Sequence, residues 1–143
     1  MLEHPGYPFV PTSTTHIRAG DFWAIPLRRG GWFACGQVLY VWPQGRRRVV
    51  VGLLDWCEPS APTADAVAGA GVLDFAHVHI KCIDLTGGPL LGNSPQPTGE
   101  GWALGGGTWG YLEIEARAHD QFGRHFPESP HPAIERPAPL QPT

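Results

Sequence analysis

Apolar positions fall in short continuous runs, not in the three-and-four spacing of an amphipathic helix. Phe22-Trp23-Ala24-Ile25-Pro26-Leu27 is the first run, closed by the turn Arg28-Arg29-Gly30-Gly31. Trp32 to Val41 follows, rich in aromatic and β-branched residues, and predicts a second strand. Pro43-Gln44-Gly45 turns the chain, and Arg48 to Trp56 returns as a third strand. Runs this continuous predict strands buried on both faces, or a small closed barrel. Pro26 marks the first run as an edge or a bulge.

Further along, Thr63 to Ala70 is Ala-rich between Pro62 and Gly71 and predicts a short helix. Thr63 supplies its cap and Asp65 suits its first turn. Phe75 to Ile83 alternates, with Ala76, Val78, Ile80 and Cys82 on one face and His77, His79 and Lys81 on the other. Residues 86–101 read as a Gly/Pro/Asn/Ser loop, and Gly110 to Ala116 as a late strand carrying Glu113 and Glu115 on its solvent face. The predicted fold is mainly β: a small, single-domain twisted antiparallel sheet or an SH3-like barrel, with one short helix.

Composition sharpens this picture. The 143 residues fit one domain, and 42% hydrophobic content is enough for a core. With 19 glycines and 16 prolines there is little room for long helices, which argues against a helical bundle. Residues 1–15 read as an extended N-terminal segment and 16–126 as the β-rich domain. Residues 127–143 form a tail with six prolines, which suits neither a sheet interior nor a helix. No apolar run approaches the roughly 20 residues of a membrane span, and the first residues lack a signal-peptide pattern. A cytoplasmic protein without membrane contact is expected.

A net charge of −3 argues against a general nucleic-acid binder. Cys35, Cys57 and Cys82 are odd in number and lack CxxC spacing, so buried free thiols are expected rather than disulfides or a zinc ribbon. The most metal-like feature is His77-x-His79, whose imidazoles share a strand face. A third ligand would have to come from His119, Asp120 or His125, and a solvated strand face is the preferred reading. Cys57, between acids, lacks a nucleophile motif. The loop from Gly105 to Gly110 resembles a phosphate loop only superficially, lacking the Lys-Ser/Thr ending and a helix pattern after it. Arg46-Arg47-Arg48 with Tyr40 and Trp42 could stack on and pair with RNA, but three arginines on an acidic chain make a poor nucleic-acid footprint. A turn naturally carries solvated charge, and this one alternatively suits an acidic patch on a protein partner. No catalytic set emerges, and neither cofactor nor metal is expected.

Ile17-Arg18-Ala19-Gly20-Asp21-Phe22-Trp23-Ala24-Ile25-Pro26-Leu27 resembles the opening of the immunity protein 26 family, as does Gly30-Gly31-Trp32-Phe33-Ala34-Cys35-Gly36-Gln37-Val38-Leu39 after it. Arg48 to Asp55 is similar to the family's next strand, and Gly101-Trp102-Ala103-Leu104-Gly105 to its Gly-x-Trp element. The resemblance covers residues 17–55 best. It implies a β-rich protein, not an enzyme, that binds and neutralises a cognate bacterial toxin by covering its active site. An acidic chain suits a basic toxin domain such as a nuclease. The expected contact residues are Trp42, Arg46, Arg47, Asp55 and Glu58, with Glu113 and Glu115 as weaker candidates. Gly20, Asp21, Pro26 and Gly36 are assigned to the fold, Asp21 through a side-chain turn. The rival functions are a metal-dependent hydrolase using His77 and His79, and a small RNA-binding barrel.

Overall fold

In the computed structural model, which describes residues 3–27, 31–43, 47–95 and 100–125, the three apolar runs are adjacent strands. They are β1 (Asp21–Pro26), β2 (Phe33–Val41) and β3 (Arg48–Glu58), all antiparallel. β4 (Val72–His79) pairs with β3. β5 (Leu90–Asn93) flanks β1, and β6 (Gly107–Thr108) lies parallel to β4. The resulting sheet has the order β5-β1-β2-β3-β4-β6. It is open, with different strands at its two edges, so the expectation of a barrel gives way to that of a mainly β sheet.

Central position explains why β2 and β3 read as unbroken apolar runs: each is covered on both faces. One cluster joins Trp23, Val38, Val49, Val51, Ala76 and Val78 to side chains of two helices, α2 (Lys81–Leu85) and α3 (Tyr111–His125). The other gathers Phe22, Cys35, Leu54 and Trp56 around Val67 of α1 (Ala64–Val67). As expected, the Thr63 hydroxyl caps α1, accepting from the Ala66 N–H at 3.2 Å. β5 pairs only with Asp21 to Trp23, so Pro26 stands where β1 has become an edge. The bulge lies at Phe22/Trp23, not at the proline.

Three sequence expectations need correction. The alternating strand stops at His79, and Lys81, Cys82 and Ile83 belong to α2, with Cys82 and Ile83 turned into the core. The loop from 86 to 101 contains strand β5. Residues 111–116 are not a strand but the start of α3, so Glu113 and Glu115 sit on a helix. Among the described side chains of α3, Ile114, Ala118 and Gln121 are buried, spaced for one helical face. Two helices therefore join the single short one expected. The Gly105–Gly110 loop is followed by a helix after all, but the Glu113 carboxylate already accepts from the Gly110 N–H at 2.9 Å. That contact is one half of a capping box. Glu113→Ala is expected to destabilise the protein by about 1 kcal/mol, measurable by urea unfolding.

The N-terminal segment is fastened to the sheet. Phe9 and Leu90 exchange backbone hydrogen bonds at 3.1 and 2.9 Å, extending the β5 edge by one bridge. The Tyr7 hydroxyl donates to Oδ1 of the buried Asp21. Asp21 Oδ1 also accepts from Asn93 Nδ2, and its Oδ2 from the Arg18 N–H at 2.8 Å, the turn assigned to it from sequence. Burial and the Asp21 carboxylate push the Tyr7 phenol well above its usual value, so it remains a donor. The Pro-rich tail, 127–143, lies outside the described residues.

Candidate functional site

On the α1 side of the sheet, α1 itself packs over the Leu54–Trp56 end. Toward the β2–β3 hairpin, cross-strand register lines up Tyr40, Val50 and His77 on that face, with Arg48 opposite His79 one row further. Trp42, two residues past Tyr40, falls on the same face. Its ring meets Tyr40 edge-on at 5.1 Å and stacks on His77 at 6.0 Å with 24° between planes. All three rings are half-buried. They form a ledge in which each aromatic group holds another in place.

The ledge is fixed from the other side by the glycine loop. His77 Nε2 lies 3.1 Å from the Gly105 carbonyl. A carbonyl only accepts, so Nε2 carries the proton there. The Trp109 N–H donates to the His77 carbonyl at 3.0 Å, aligning β6 beside β4. Gly106 has φ +80°, and a Cβ there would lie 3.0 Å from the Phe75 ring, so glycine alone fits this turn. Phe75 in turn meets Trp102 at 4.9 Å, ring edge to ring face. The phosphate-loop look-alike is thus a packing element for Phe75 and His77.

At the hairpin end the basic residues converge from two parts of the chain. The Arg47 carbonyl accepts from the Ile80 N–H at 3.0 Å, and the Lys81 N–H donates to His79 Nδ1 at 3.0 Å. Arg47, Arg48, His79 and Lys81 are all exposed. Trp42 and Arg47, both expected as contacts, therefore share one corner, while Arg46 lies outside the described residues. Asp55 and Glu58 are exposed near the other end of β3, roughly 20 to 30 Å away at about 3.3 Å per residue. Glu113 caps α3, and the Glu115 carbonyl accepts from His119 Nδ1 at 2.7 Å. The expected contact set is thus divided among separate places. Sequence reading missed that His77, His79 and Lys81 join Trp42 and Arg47, because β3 intervenes between their strands.

Among the described residues no group of three or more His, Cys, Asp or Glu side chains is gathered as a metal ion requires. The described helices include none long and apolar enough to cross a membrane. All three thiols are free and buried. Burial raises each of them: Cys57 is pushed up to about 12, with Glu58 adding to the effect. Cys35 and Cys82 are raised for the same first reason. A thiol-specific disulfide reagent is expected to leave all three unmodified in the native protein and to label all three after denaturation. Rapid labelling of any native thiol would contradict this. The folded chain retains protons that the unfolded one releases, so stability should fall as pH rises past the ordinary thiol value of 9.0.

No family model, curated protein or solved structure matches this chain.

Proposed function

We propose that the protein is a binding module of immunity type, which neutralises a cognate bacterial toxin in the cytoplasm by covering its active site and performs no chemistry itself. The observation that carries the reading is the ledge of Tyr40, Trp42 and His77 with Arg47 and Arg48 at its rim. Tryptophan, tyrosine and arginine are the residues that most often dominate binding energy at protein interfaces. Rings already packed against one another lose little side-chain freedom on docking, so more of the contact energy appears as affinity. The resemblance of residues 17–55 to the immunity protein 26 family supports the same reading.

The experiment is co-expression with the product of the neighbouring reading frame. The wild-type chain should restore growth and co-purify with that product in a one-to-one complex. Trp42→Ala should weaken the complex by about 2 kcal/mol, near thirtyfold, and reduce rescue at equal protein level. Toxicity that persists beside abundant wild-type protein would defeat the proposal.

A further inference from the structure

Arg47 and Arg48 close one hairpin, and Lys81 opens a helix more than thirty residues later, yet strand pairing sets them around one corner. Among the described residues none of Arg47, Arg48, His79 and Lys81 is in a salt bridge. The described acids are mostly placed elsewhere. Asp55 and Glu58 are toward the far end of β3, Asp65 is in α1, Asp74 is paired with Arg117 at 2.9 Å, and Glu113 caps α3. Asp84, one turn after Lys81 in α2, is the nearest acid in sequence. A chain of net charge −3 therefore carries a basic corner, and that corner borders the aromatic ledge.

We infer that this corner receives an acidic segment of the partner protein, its carboxylates against Arg47, Arg48 and Lys81 and an apolar side chain against the exposed part of Trp42. The inference rests on the binding reading of the same surface and supplies the chemistry of what binds there. It departs from the basic toxin domain expected from whole-chain charge and takes up the acidic patch that the arginine turn suits. Two physical arguments select a protein segment over a nucleic acid. Guanidinium groups pair with carboxylate and phosphate alike, but fields are screened within about 10 Å, so a short acidic segment feels the local corner alone. A nucleic acid runs past that distance on a chain of net charge −3, and one face of Trp42 is already stacked on His77.

The test uses the full chain, with NMR signals of the Trp42 indole and the His77 ring as readout. One probe is a short peptide of alternating aspartate and leucine; the other is an oligouridylate of equal charge. At low salt the peptide should shift both signals, and added salt should reverse the shift. Arg47→Glu with Lys81→Glu should weaken peptide binding by about tenfold or more, while Asp65→Lys, on the distant α1, should leave it unchanged. Tighter binding of the oligouridylate would overturn the inference in favour of a nucleic-acid surface. Absence of shifts, or equal peptide binding by the charge-reversed variant, would overturn it outright. A toxin complex that forms regardless would leave the binding reading standing, and a peptide site without any toxin complex would do the reverse.

Discussion

Gly36→Ala is expected to cost the protein about 3 kcal/mol, a large share of the roughly 5–15 kcal/mol that holds a small domain together. Gly36 sits in the middle of β2, directly opposite Trp23 of β1. A Cβ there would lie 2.5 Å from Trp23 Cη2 and 2.6 Å from Cζ2, inside any real carbon–carbon contact. Trp23 cannot swing aside, because it is fully buried and its indole N–H donates to Thr86 Oγ1 at 2.9 Å. Thr86 is itself anchored, its hydroxyl donating to the Cys82 carbonyl at 2.7 Å. The strain thus passes into α2 and the β1–β2 pairing together. Trp23→Phe removes the atoms that collide, so the double variant should be more stable than the two single losses sum to, by about 1 kcal/mol or more. A loss under about 0.5 kcal/mol for Gly36→Ala alone would refute the packing described.

Asp21→Ala should be comparably severe, at about 3 kcal/mol or more, because three donors lose one carboxylate. Tyr7 OH, Asn93 Nδ2 and the Arg18 N–H all converge on it, and the position is fully buried. The loss has a local signature as well. Tyr7 is a main tie of the N-terminal segment, so the Phe9 N–H, which donates to the Leu90 carbonyl, should exchange much faster with solvent hydrogen. Tyr7→Phe should reproduce that local release at about 1–2 kcal/mol, since the carboxylate keeps its other two donors. Unchanged exchange at Phe9 in Asp21→Ala would show that the segment is held in some other way.

Legibility from sequence followed burial. Strands β1 to β3 were plain because both faces are covered, so nearly every side chain is apolar. Thr63 was legible as a cap because its chemistry is local to four residues. The late helix is not legible locally because Leu112, Glu113, Ile114 and Glu115 alternate over a window shorter than two turns. The helical spacing appears only when Ala118 and Gln121 are added to Ile114. β5 was hidden because Leu90–Asn93 is short and includes a glycine, and its partner β1 lies over sixty residues earlier. The same distance in sequence concealed the candidate site. Alternation places His77 and His79 on one face, as they are in β4, but the stacking of Trp42 on His77 spans from β2 to β4. No local pattern records a contact made across an intervening strand.

The most direct test of the binding surface is calorimetric titration of the purified neighbouring-frame product with wild-type protein and with Trp42→Ala, each first shown to unfold at the same temperature. The expected result is a one-to-one complex for the wild type and a dissociation constant about thirtyfold larger for the variant. Equal affinity for the two proteins would contradict the assignment of the Tyr40–Trp42–His77 ledge as the docking surface.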